Sequence, residues 1–138
     1  MGIAVERHDG GVAVVTLSEE AARNALTRTF IHEMSGVMGG LLDDSTCKAI
    51  VLTGTGRFFC TGADIDEFAD SIDDGSIGNL VDELTSVLHP LELRLRRSPT
   101  VFIAAINGSA AGGGLGPLFV LIIAYVFQKQ DLQQPSFH

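Results

Sequence analysis

The sequence predicts an α/β fold, and three observations carry that expectation. Short β-branched runs alternate along the chain with longer segments of helical period. The first two runs flank a glycine-containing turn, as in a hairpin. The strongest helical pattern, Asn79 to Arg97, comes just before another β-branched run, Val101 to Ile106.

Ile3 to Arg7 and Val12 to Leu17 read as the hairpin strands, with His8-Asp9-Gly10-Gly11 supplying the turn. Thr27 is the expected N-cap of a helix reaching Leu42. Phe30, Met34, Val37, Met38 and Leu41 share one face of it, against the weakening effect of Gly36, Gly39 and Gly40. Ala49 to Thr53 is a short buried strand. Asp64 to Gly75 holds six carboxylates and reads as a solvated, mobile acidic segment. In the helix from Asn79 to Arg97, Leu80, Leu84, Val87, Leu88, Leu91 and Leu95 form the apolar face, while Arg94, Arg96 and Arg97 suit the negative end of the dipole. Pro90 interrupts that pattern, so a kink or two helices end to end is expected.

With 138 residues there is room for one domain with a real core. A formal charge of −8 argues against nucleic acid or an anionic membrane as partner, because both require a basic face. Cys47 and Cys60 have no metal-ligand spacing and no secretion signal accompanies them, so they read as reduced thiols and the location as cytoplasmic. His32-Glu33 lacks the second histidine of a zinc helix, and Gly54-Thr55-Gly56 lacks the third glycine of a dinucleotide fingerprint; neither a metal nor a separate cofactor is expected.

Two stretches carry the chemistry. Asn107 to Gly116 reads N-G-S-A-A-G-G-G-L-G after a β-branched run. Glycines there leave backbone N–H groups uncovered, and a helix beginning at or just after them would favour a ligand oxygen. Arg57 to Asp64 reads R-F-F-C-T-G-A-D after the strand ending at Thr53. Together, Phe59-Cys60-Thr61-Gly62-Ala63-Asp64-Ile65, Ala104-Ala105-Ile106-Asn107-Gly108-Ser109-Ala110-Ala111-Gly112-Gly113-Gly114 and the earlier Arg23-Asn24-Ala25-Leu26 resemble, in order and spacing, the crotonase (enoyl-CoA hydratase/isomerase) superfamily. The resemblance runs from about Ile3 to Gly116.

That resemblance implies a truncated crotonase-like spiral of stacked β-β-α repeats. It also implies an oxyanion hole in which the amides of Ala63 and Gly113 hold a thioester carbonyl so that an enolate is stabilised. The same resemblance puts Arg23, Ala25, Leu26, Ala63, Asp64, Ile65, Gly113 and Gly116 around an acyl-CoA substrate, coenzyme A entering only as part of that substrate. Hydratases of the family carry a glutamate two residues after the glycine triplet; here that position is Gly116, so hydration by this chain is in doubt. His89 lies near the place where related dehalogenases use a histidine base, although a structural role is the expectation here. Trimers or hexamers form in full-length members through C-terminal helices.

The expected organisation is therefore residues 1–116 as the N-terminal part of a crotonase-like domain and 117–138 as a non-family apolar tail. The tail is expected to be a family gene read in a shifted frame, through a frameshift, an altered splice junction or a sequencing error, with a genuine diverged segment as the alternative: Leu121-Ile122-Ile123-Ala124 and Phe127 to Asp131 can be encoded so that the neighbouring frame spells Asp-Tyr-Arg and Pro-Glu-Ala-Arg, which resemble the family's continuation. The apolar run Leu118 to Phe127 would make the isolated chain prone to aggregate. Three functions follow as expectations: an acyl-CoA-binding protein of enoyl-CoA hydratase/isomerase parentage with little or no turnover, a noncatalytic binder of acyl-CoA or of a family partner, and a small protein anchored in a membrane by its C-terminal run.

Overall fold

The computed structural model describes residues 2–19 and 23–110, with backbone alone for 109–110 and 123–126. Strand β1 (Ile3–His8) turns through Gly10 and Gly11, at φ +82° and +83°, into antiparallel β2 (Val12–Leu17). Both positions lie in the left-handed region that glycine enters without steric cost, which is why this turn is so tight. His8 belongs to β1, paired with Val12, and not to the turn itself.

Helix α1 (Arg28–Asp43) starts where Thr27 accepts a hydrogen bond from the Phe30 N–H at 3.1 Å. That cap satisfies one of the free donors at the helix start and offsets the poor propensity of its three glycines. Strands β3 (Ala49–Gly54) and β4 (Phe58–Cys60) follow, then α2 (Ile65–Asp73) and α3 (Ile77–Arg97). Strand β5 (Val101–Ile106), the short β6 (Ser109–Ala110) and β7 (Ile123–Val126) complete the described elements.

The acidic segment is helical, contrary to expectation. Asp64 caps α2 by accepting from the Glu67 N–H at 3.0 Å, and Asp66 and Glu67 occupy the first turn. Negative charge placed there complements the helix dipole, so the same carboxylates that suggested a solvated loop stabilise a short helix. Nor does α3 divide in two: one helix runs through Pro90. The proline is exposed, while Leu84, Leu88, Leu91 and Leu95 on both sides of it are held in the core. Burial of each such side chain is worth roughly 1.5–3 kcal/mol, enough together to outweigh the penalty of about 3 kcal/mol for an interior proline.

Five strands form one sheet in the order β1-β2-β3-β5-β7, parallel from β2 onward, while β4 and β6 pair in a second small sheet. β1 and β2 thus both belong to the large sheet, whereas from β3 onward the first strand of each pair, β3 or β5, joins the large sheet and the second, β4 or β6, the small one. The alternation of buried positions along β2, β3 and β5 puts Val15, Leu17, Ile50, Leu52, Phe102 and Ala104 on the face that α1 and α3 cover. Phe59 and Cys60 of β4 close the same core. Of the apolar tail, only the backbone of β7 lies within the described residues, pairing Ile103 with Ile123. No helix among the described residues is long and apolar enough to cross a membrane.

Candidate active site

The three sequence motifs meet at the C-terminal end of β3. Gly54 ends that strand, and a methyl group placed on it would lie 2.8 Å from the Asn107 Oδ1, 2.8 Å from the Phe58 carbonyl oxygen and 3.0 Å from the Asn24 Nδ2. Only a residue without a Cβ lets these groups close in. Asn107 Oδ1 accepts from the Gly54 N–H at 2.9 Å, while its Nδ2 donates to the carbonyls of Gly56 at 3.2 Å and Phe58 at 3.3 Å. Asn24 is fully buried; it donates to the same Phe58 carbonyl at 3.0 Å and accepts from the Glu19 N–H at 2.8 Å. A buried amide side chain is tolerated because its donor and acceptor both find partners. Gly108 packs its backbone on Arg57, whose carbonyl oxygen would overlap any Cβ there.

Beyond β4 the chain turns at Gly62, φ +86°, and reaches Ala63. Leu26 and Ala63 form an isolated parallel bridge in which the Leu26 N–H donates to the Gly62 carbonyl at 2.7 Å. The Ala63 N–H is left uncommitted among the described residues. Asp64 and Ile65 follow at once as the N-cap and first residue of α2, so the free amide sits just ahead of the positive end of a helix. Across from it, Arg23 and Asn24 adopt φ +57° and +52°. Asparagine takes the left-handed conformation readily and arginine less so, at a cost of roughly 1–2 kcal/mol, a strain typical of functional segments. The Arg23 guanidinium rests over the Phe58 ring at 5.8 Å, and the Arg23 carbonyl accepts from the Thr61 hydroxyl at 3.3 Å.

Arg23, Ala25, Thr61, Ala63, Asp64, Ile65 and Asp66 line a cleft of about 370 Å³. Five of the residues predicted from the motifs share it; Leu26 lies buried behind and bridges to Ala63. Gly113 and Gly116 lie outside the described residues, as does the aggregation-prone run apart from the β7 backbone. Burial pushes the Cys60 thiol up from its ordinary value, a backbone hydrogen bond from Gly62 opposing that shift, so it is an inert core group.

His89 is exposed on α3 and lines no part of this cleft. Its neighbour Glu92 has a buried Oε1 without a hydrogen-bond partner, and desolvation raises the carboxyl's pKa, the adjacent His89 opposing the rise. A larger cleft of about 470 Å³, between Leu42 on α1 and Pro90, Leu93, Arg94 and Arg97 on α3, contains none of the motif residues. Size alone therefore does not mark the site; the convergence of three motifs does. Sequence reasoning missed Asn24 and Asn107 as the groups that knit the site together. The available signal was an asparagine in two of the three motifs, a side chain that donates and accepts at once and, as at Asn24, tolerates positive φ. No group of residues able to hold a metal ion occurs among the described residues.

A sequence profile of the enoyl-CoA hydratase/isomerase family matches residues 7–136. The chain is 36% identical over 125 residues to enoyl-CoA hydratase ACTT3 of Alternaria alternata, covering 91% of this chain and 40% of that protein. A crystal structure of an enoyl-CoA hydratase from Bacillus anthracis superposes with a TM-score of 0.76 at 27% identity, covering 90% of this chain and 47% of that one. The enoyl-CoA hydratase of Bacillus halodurans superposes with a TM-score of 0.81 over 93% of this chain and 51% of that one; at 21% identity it speaks for the fold alone. The chain thus spans about 40% of the length of the fungal relative.

Proposed function

The chain belongs to the enoyl-CoA hydratase/isomerase family, and from that premise we propose that it binds an acyl-CoA thioester in the cleft between Arg23 and Ile65. The observation that carries the reading is the Ala63 N–H, uncommitted among the described residues, at the mouth of that cleft and beside the N-terminus of α2. Such a donor is held before any ligand arrives, so it loses no orientation energy on donating to a carbonyl oxygen. Gly113 supplies the second donor in this reading, and Arg23 is available to a phosphate of the coenzyme. The parent chemistry is enolate stabilisation of the hydratase/isomerase type.

Turnover by this chain is expected to be little or none. The position at which the sequence resemblance calls for a carboxylate is Gly116, and a glycine can neither take nor give a proton. Crotonyl-CoA titrated into the protein tests both halves of the proposal. Saturable binding without loss of the conjugated enoyl absorbance is the expected result. Absence of saturable binding would overturn the acyl-CoA reading, and steady hydration would overturn the assignment of the chain as a binder without turnover.

A further inference from the structure

We propose that the Arg23–Leu26 segment is the positioning element for the Ala63 donor, and that it acts through the plane of a single peptide group. The inference rests on the acyl-CoA reading above. Gly62 C=O and Ala63 N–H belong to the same peptide unit, which is planar and trans, so the two bonds point in opposite directions. Leu26 N–H holds the Gly62 carbonyl at 2.7 Å. Fixing that carbonyl toward Leu26 fixes the Ala63 N–H away from it. A free peptide at this turn could rotate; a clamped one keeps its donor aimed.

Leu26 can serve as a clamp only if its own backbone is fixed, and Asn24 does this. The Asn24 N–H donates to the Glu19 carbonyl at 2.9 Å and its Oδ1 accepts from the Glu19 N–H at 2.8 Å, which pins residue 24 to the end of the hairpin by two bonds. Its Nδ2 reaches the Phe58 carbonyl at 3.0 Å, four residues before Gly62. The Thr61 hydroxyl bonds back to the Arg23 carbonyl at 3.3 Å. The strand carrying the donor and the segment aiming it are thus tied at Phe58, Thr61 and Gly62. Asn24 touches no part of the cleft itself; it is a positioning residue, and the left-handed backbone at Arg23 and Asn24 is what directs the Leu26 N–H across to Gly62.

The test compares crotonyl-CoA with free coenzyme A, which lacks the thioester carbonyl, on the full chain and on N24A and N24G. Dissociation constants for both ligands are measured by calorimetry, and the carbonyl stretch of bound crotonyl-CoA by difference infrared spectroscopy. In the wild-type chain the stretch should fall to lower frequency and the thioester should bind more tightly than free coenzyme A. Both variants should lose about threefold to tenfold of that preference, the worth of one hydrogen bond, and should show a smaller shift. A merely structural role would weaken both ligands by one factor and leave the shift intact. N24G accepts positive φ without strain, so it decides the matter where N24A fails to fold. Folded variants with undiminished preference and shift overturn the positioning role while leaving the acyl-CoA reading intact. A wild-type chain showing neither preference nor shift overturns both.

Discussion

Replacing Gly54 by alanine adds one methyl group at the point where β3, β4 and the Asn107 turn close on one another. That methyl would stand 2.8 Å from the Phe58 carbonyl oxygen, 2.8 Å from Asn107 Oδ1 and 3.0 Å from Asn24 Nδ2. Ordinary contact for a carbon is about 3.5–4.0 Å, so all three neighbours must retreat by roughly half an ångström or more. Overpacking of this kind costs about 1–3 kcal/mol. The Gly54 N–H to Asn107 bond at 2.9 Å and the Asn24 bond at 3.0 Å are stretched in the process, at roughly 0.5–1.5 kcal/mol each. We expect a total loss of about 2–6 kcal/mol, read as a lower urea midpoint at unchanged slope. Gly36→Ala is the matched control: nothing lies within 4 Å of its added methyl, and alanine is favoured over glycine in α1. It should stabilise the chain by about 0.5–1 kcal/mol. Should Gly54→Ala unfold within about 0.5 kcal/mol of the wild-type chain, the close approach inferred here is wrong.

Asp44 accepts from the Thr46 hydroxyl at 2.7 Å, the Thr46 N–H at 2.9 Å and Arg7 at 2.8 Å, and the Thr46 bonds foremost hold its carboxyl at about 2 against an ordinary 3.8. A depressed folded-state value contributes stability that is present above about pH 4 and is lost as pH falls toward 2, so Asp44→Asn should flatten the melting-temperature profile across that window; an unchanged profile would count against it. The tail from Pro117 is open to a test on nucleic acid: the neighbouring frame beyond the Gly116 codon should continue with a family-like sequence, and an early stop or an unrelated sequence there would remove the frame-shift account.

Much of the architecture was legible in residue order alone, because period and turn chemistry are local properties. Gly10 and Gly11 mark the hairpin, Thr27 marks the start of α1, and short apolar runs mark β2, β3 and β5, while the face of each strand that meets the core emerges only in the structure. Carboxylate density between Asp64 and Asp74 misled, since charge count says nothing of whether a charge sits at a helix start, where it stabilises. Pro90 left open whether the helix would divide, and it does not. Its local penalty was visible in the sequence, whereas the leucines that hold α3 together across it gain their energy from contact with α1 and the sheet, partners remote in the chain.

At the site, the sequence by itself determined which residue types were present: a glycine ahead of Ala63, small residues around it and an asparagine in each of two flanking motifs. Only the tertiary structure decided what those residues do to one another. Asn24 and Asn107 are far apart in sequence yet donate to the same Phe58 carbonyl, and the Leu26 N–H meets the Gly62 carbonyl through a bridge that no local pattern encodes. Local propensity is a property of a few consecutive residues. The aim of one backbone donor depends on hydrogen bonds between segments that folding alone brings within 3 Å of each other.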